Sequence, residues 1–170
     1  MTTIIGVEYE DRAVMACDSL IHADTAQYED DRMSKITEVN GYLIGVAGDV
    51  ALCNIINYLW RPPKPTLKDK DLYKFIVVKV VPSLKALINT DKKDDMSFNV
   101  LLMVKGRLFE IDEDYATTVR SDGIYGIGSG GDYAMGALDT GASLEDAITT
   151  ASKFDPKTGG TIKIFTQDRS

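Results

Sequence analysis

Histidine is almost missing from this chain. Its 170 residues hold one, His22, so a Ser-His-Asp or Cys-His mechanism has a single imidazole to draw on. Metal sites built on several histidines are excluded for the same reason. Cysteine is nearly as scarce. Cys17 and Cys53 lie far apart in sequence and form no CxxC, which suggests neither a disulfide framework nor a metal site. Positive charge is in deficit: 19 Lys and Arg against 26 Asp and Glu leave a formal net charge of −7. That balance argues against a nucleic-acid or anionic-membrane partner. No apolar run is long enough to span a bilayer, and no signal segment or polar arm stands ahead of the first strand pattern. The expected compartment is a reducing cytoplasm.

What is present is enough apolar material, 44% of the residues, for one core in one domain over 1–170. Thr3–Tyr9 and Arg12–Asp18 read as strands joined at Glu10-Asp11. Ser19–Ser34 is polar and mixed, with no clear period, and reads as a loop. Lys35–Val39 and Tyr42–Val46 flank Asn40-Gly41, a pair that tolerates positive φ and so marks a hairpin. Asp49 is a candidate N-cap for a helix over Val50–Trp60, with Leu52, Ile55, Ile56 and Leu59 on one face. The run Arg61-Pro62-Pro63-Lys64-Pro65 stops that helix. A second helical pattern runs from about Asp71 to Ile88, with Pro82 expected to kink or split it. Thr90–Asp95 is a charged turn. Phe98–Val104 and Arg107–Ile111 form a hairpin through Lys105-Gly106. A short strand at Ile124–Ile127, helices at about Asp132–Leu138 and Ser143–Phe154, and a closing strand over Thr161–Thr166 complete the chain. Strands and helices come in blocks, without strict β-α-β alternation. This pattern predicts antiparallel sheets with pairs of helices packed outside them.

The chemistry begins at Thr2. Once Met1 is removed, a threonine carries its hydroxyl and a free α-amine on one Cα, a nucleophile with its own base attached. Read alone, Met-Thr-Thr is also an ordinary start to an edge strand. Asp18 ends the second strand and Lys35 begins the third; each alone reads as a solvated loop charge. Beside Thr2, a lysine would lower the pKa of the amine and the hydroxyl, and a carboxylate would hold that lysine charged and in place. Gly126-x-Gly128-x-x-Gly131 matches the dinucleotide fingerprint as a string. That fingerprint needs a βαβ unit and an acid about 20 residues on, and Glu145 and Asp146 fall at a helix start instead. The other reading is a sharp strand-to-helix turn that exposes the Ser129 hydroxyl. Cys17 and His22 could form a thiol-imidazole pair, although a thiol in an apolar strand is by default buried and inert.

Six stretches resemble the proteasome β-type and HslV-like family of N-terminal-nucleophile hydrolases, in the family's order and over nearly the whole chain. They are Thr2-Thr3-Ile4-Ile5-Gly6-Val7, Val14-Met15-Ala16-Cys17-Asp18-Ser19, Met33-Ser34-Lys35-Ile36, Gly45-Val46-Ala47-Gly48, Gly126-Ile127-Gly128-Ser129-Gly130-Gly131 with Tyr133-Ala134, and Asp155-Pro156-Lys157-Thr158-Gly159-Gly160. The resemblance implies an α+β fold, a four-layer αββα sandwich. It implies Thr2 as nucleophile, Lys35 and Asp18 as its charged partners, and Ser129, Asp155 and Thr158 as a polar network near the α-amine. It gives the oxyanion hole to the N–H of Gly48 and the wall of an apolar specificity pocket to Val46. No metal or cofactor is implied. Cys17 stands where HslV-like chains usually have glycine, and Thr158 replaces a serine common in proteasomal β subunits.

The activity implied is a threonine endopeptidase that degrades unfolded polypeptides inside stacked rings of identical subunits, with an ATPase unfoldase or other ring activator as a possible partner. Two alternatives stand beside it: an inactive proteasome-like shell protein, and a small-substrate amidase of the same nucleophile class. Val77 and Val78 fall off the Leu72-Phe75-Ile76 stripe and Trp60 stands at a helix end before a proline run, which points to apolar surface available for such an assembly.

Overall fold

The computed structural model describes residues 2–23, 26–29, 34–66, 68–89 and 96–170. Four strands form one antiparallel sheet in the order β10-β1-β2-β11: Ile124–Gly128, Thr3–Glu8, Arg12–Cys17 and Lys163–Asp168. Five form a second, β5-β6-β7-β8-β9: Ile36–Val39, Tyr42–Gly48, Phe98–Val104, Arg107–Ile111 and Thr117–Thr118. The two sheets pack face to face. Ile4, Met15 and Cys17 of the first sheet meet Leu43, Leu101, Met103 and Leu108 of the second in one buried cluster. Alternation sends the neighbouring side chains to the outer faces. There Ile44, Val46 and Leu102 are covered by α1 (Val50–Leu59), α2 (Leu72–Phe75) and α3 (Val81–Ile88). On the other side Ile5 and Ala16 are covered by α4 (Gly131–Asp139) and α5 (Leu144–Phe154). The result is the αββα sandwich implied by the resemblance.

Local chemistry sets the element ends. Asn40 and Gly41 both take positive φ in the turn between β5 and β6. The Asp49 carboxylate caps α1 by accepting from the Ala51 N–H at 2.9 Å. Ser143 Oγ caps α5 by accepting from the Asp146 N–H at 3.1 Å.

Two expectations are corrected and a third is refined. The polar stretch read as a loop contains a hairpin, β3 (Leu20–Ala23) paired with β4 (Ala26–Glu29). Its strands are short and built on mixed residues, so they carry no clear period. The second helix is split ahead of Pro82, which stands in the first turn of α3. A π-helical turn over Ile76–Val80 lies between α2 and α3, and the Val81 N–H reaches back to Ile76 O. A widened turn at that point makes room for a residue that has no N–H to give and a ring that crowds the preceding turn. Trp60 is buried, not exposed, and its indole Nε1 donates to Ser83 Oγ at 3.0 Å. Val77 and Val78 do face outward. The expected turn at Thr90–Asp95 lies outside the described residues, as does Met33 of the Met-Ser-Lys-Ile stretch.

Candidate functional site

Thr2 sits just ahead of β1, at the end of the sandwich where both sheets stop. Two cavities meet at it. One, of about 420 Å³, is walled by Ala47, Gly48, Ser97 to Asn99, the acidic run Asp112 to Asp114, Gly128 and Ser129. The other, of about 100 Å³, is lined by Leu20, Ile21, Lys35, Val46, Val50 and Cys53 among others, and is mainly apolar. Gly48 belongs to both. It ends β6 beside Phe98 of β7, which brings the end of that strand next to Thr2.

On one side of Thr2 lies Asp18, buried at the end of β2. A buried carboxylate is costly unless its lone pairs are taken up. Three donors take them. Lys35 Nζ reaches Oδ1 at 2.7 Å, the Thr3 N–H reaches the same oxygen at 2.9 Å, and the Gly159 N–H reaches Oδ2 at 3.0 Å. The lysine side chain is 13% exposed and the aspartate side chain 0%, so this ion pair is little screened by water.

On the other side lies Asp155, buried at the end of α5. Ser129 Oγ and Thr158 Oγ1 each donate to its Oδ2 at 2.6 Å, and the Lys157 N–H donates to Oδ1 at 3.1 Å. Burial alone would raise this carboxyl. The hydroxyls of Ser129 and Thr158, with the Lys157 N–H and charge, outweigh it and hold the group below the usual carboxylate range.

Close backbone approach makes glycine necessary at two points. Gly128 has a φ of +87°, and a Cβ there would run into the Thr2 carbonyl oxygen. At Gly130 a Cβ would strike the Thr3, Thr158 and Asp155 side-chain oxygens. The glycine string therefore serves packing around Thr2. β10 pairs antiparallel with β1, so the parallel βαβ unit required for a dinucleotide site is lacking.

All eight residues expected from the sequence fall in this one region: Thr2, Asp18, Lys35, Val46, Gly48, Ser129, Asp155 and Thr158. One detail differs: the Ser129 hydroxyl is half-buried and tied to Asp155, not exposed. Cys17 is buried between the sheets, and burial, reinforced by the Asp18 charge, pushes its thiol up to about 11. That removes the thiolate a Cys17–His22 pair would need; the His22 side chain lies outside the described residues. Cys53 is also pushed up to about 11, chiefly by burial. Both thiols are free. Among the described residues no group of three His, Cys, Asp or Glu is placed to hold a metal, and no helix is long and apolar enough to cross a membrane.

Sequence reasoning missed Thr3, Gly159 and the acidic run Asp112–Asp114. Thr3 was hidden by its place inside a strand pattern. Gly159 acts through its backbone, which leaves no side-chain signal. Asp112–Asp114 follows β8 as an ordinary polar turn would, with Asp112 Oδ1 accepting from the Asp114 and Ala116 amides.

Residues 1–62 match the family described as Proteasome subunit. No curated protein matches the sequence. Among solved structures the chain is similar to Thiobacillus denitrificans BPH, with 20% identity, a TM-score of 0.77 and 99% of each chain covered. A complex of BPH with epoxomicin matches at a TM-score of 0.78, again with 20% identity, covering 99% of this chain and 100% of that one. Eukaryotic HslV from Trypanosoma brucei matches at 20% identity and a TM-score of 0.69, with 99% of this chain and 100% of that one covered. Over residues 1–62 the likeness in sequence is to the Proteasome subunit family, and over almost all of the chain the likeness in fold is to BPH and HslV.

Proposed function

We infer that this chain is a threonine endopeptidase subunit with Thr2 as its nucleophile. The observation that carries the reading is the position of Thr2, at the junction of two cavities and between the Asp18–Lys35 ion pair and the Asp155–Ser129–Thr158 cluster. The reading requires the bond after Met1 to be cut. The freed α-amine then takes the proton of the Thr2 hydroxyl as Oγ1 attacks the peptide carbonyl, and later gives it to the departing amine. An unperturbed α-amine titrates near 8. The Lys35 ammonium disfavours a second positive charge nearby and so favours the neutral, basic amine, while Asp18 holds that ammonium in place. The N–H of Gly48 is the donor for the tetrahedral oxygen. The apolar cavity, with Val46 and Val50 on its wall, suits an apolar side chain next to the cleaved bond.

Enclosure fits this chemistry. Identical subunits in stacked rings would keep an unguarded nucleophile away from folded proteins in a cytoplasm and leave unfolded polypeptides as substrates. A ring ATPase or other activator would supply them. The outward-facing Val50, Leu59, Tyr73, Val77 and Val78 offer apolar surface for subunit contacts.

Intact mass and peptide hydrolysis test the nucleophile together. The expected result is a chain lacking Met1 that cleaves short apolar peptides, and a Thr2→Ala variant that assembles alike but is inactive. Epoxomicin, the molecule held by the BPH structure, should add its mass to the unsubstituted chain and not to Thr2→Ala. Full activity in Thr2→Ala, or Met1 retained throughout an active preparation, would sink the assignment.

A further inference from the structure

Thr3 bonds one carboxylate of the site directly and reaches the other through Thr158. It is wholly buried, and it lines neither cavity. Its N–H donates to Asp18 Oδ1 at 2.9 Å, and its Oγ1 lies 2.5 Å from Thr158 Oγ1. A count of protons gives the direction of that second bond. An ionised carboxylate can only accept. Thr158 therefore spends its one hydroxyl proton on Asp155 Oδ2, and Ser129 spends its own on the same oxygen. The Thr158 oxygen has only lone pairs left to offer, so Thr3 is the donor. The chain runs one way, from Thr3 through Thr158 to Asp155. Ser129, its proton committed, keeps acceptor capacity only, and it stands in the wall of the cavity that Thr2 shares.

We propose that Thr3 is a positioning residue that sets the two halves of the site relative to each other. Its hydroxyl, by donating to Thr158, strengthens the Thr158–Asp155 bond and so anchors the carboxylate that holds Ser129 with its acceptor side toward the Thr2 α-amine, and its N–H holds Asp18 in place for Lys35. This rests on the reading of Thr2 as nucleophile. The physical basis is that a hydroxyl which itself accepts a hydrogen bond becomes a stronger donor, so successive bonds in a chain reinforce one another. Thr3 is joined to Thr2 by a single peptide bond, so any shift of its side chain or amide is felt at the nucleophile directly. The tight fit at Gly130, where a Cβ would strike the oxygens of Thr3, Thr158 and Asp155 together, leaves the chain little room to rearrange.

Thr3→Val keeps the shape and deletes the hydroxyl. Because Thr3 lines neither cavity, kcat for a short apolar peptide should fall about tenfold with KM unchanged, the loss expected for one hydrogen bond to a charged network. Thr3→Ser should restore it. The Asp155 carboxyl, followed by carbon NMR, should titrate at higher pH in Thr3→Val than in the unsubstituted protein, since its donor is weakened. A kcat within twofold of the original, a KM effect without a kcat effect, or a loss that Thr3→Ser shares would overturn the proposal. Should Thr3→Val not fold, a neutron crystal structure of the unsubstituted protein decides. A deuteron on Thr3 Oγ1 pointing at Thr158 supports it, and one on Thr158 pointing at Thr3 overturns it. The deuteron position needs no activity, so it stays readable even if Thr2→Ala proves active and the nucleophile reading falls.

Discussion

Lys35 brings its charge into a nearly closed space, and Asp18 is what makes that tolerable. With the aspartate side chain at 0% exposure, deleting the ammonium leaves a buried carboxylate supported only by the amides of Thr3 and Gly159. Two consequences follow for Lys35→Ala. Turnover of a peptide should fall by several powers of ten, because electrostatic and acid-base effects each contribute about 10²–10⁴. Stability should fall as well, because breaking a buried pair exposes the cost of burying the remaining charge. Lys35→Arg should not restore turnover. Guanidinium is broader and spreads its charge over a plane, where the space beside Thr2 holds a point charge. Steady-state hydrolysis and thermal unfolding measure the two effects separately. An alanine variant within tenfold of the original turnover would show that the lysine serves packing alone.

The helical layer over the five-stranded sheet is held together by a polar contact inside an apolar one. Trp60 closes α1 with its ring in the core, and its Nε1–H donates to Ser83 Oγ in α3 at 3.0 Å. Ser83 in turn donates to Val80 O at 2.7 Å, one of the carbonyls of the π-helical turn. This joins the end of α1 to the widened turn before Pro82. Trp60→Phe and Ser83→Ala should each lower unfolding stability by about 1–2 kcal/mol, through the unmet donor or acceptor they leave and the void beside it. Because the residues share one bond, the double variant should lose less than the two together. Denaturant unfolding at one fixed protein concentration measures this, and full additivity would mean that the bond contributes nothing.

For the whole molecule, the outer helical face decides between a chamber and a free subunit. Val77 and Val78 are 40% and 53% exposed, and Val50 and Leu59 of α1 are 62% and 63% exposed. On the opposite helical layer Tyr133 and Phe154 stack with centroids 5.6 Å apart, both exposed. Light scattering should give a particle many times the 18.7 kDa of one chain, and Val78→Asp should break it into smaller species that retain the fold by circular dichroism. A stable monomer of the unsubstituted protein at micromolar concentration would remove the chamber, and with it most of the argument for a regulated protease.

Much of this was written in local residue choice. The Asn40-Gly41 and Lys105-Gly106 turns, the Asp49 cap and the strands Phe98–Val104 and Arg107–Ile111 all stand where sequence reasoning put them. Turn and cap chemistry acts over two to four residues, so it can be read without knowing the rest of the fold. The residues that gather around Thr2 were legible through six motifs taken in order, because each motif carries a side chain that the fold cannot exchange freely. The hairpin at Leu20–Glu29 was not legible, since two strands of four residues on mixed side chains leave no period to detect. Nor was the burial of Trp60, which depends on a serine 23 positions later. Thr3 shows the limit most clearly. Its sequence neighbours mark it as a strand residue and nothing more. Only the sandwich, by bringing Asp18 from the end of β2 and Thr158 from 155 positions away onto its amide and its hydroxyl, makes it part of the site.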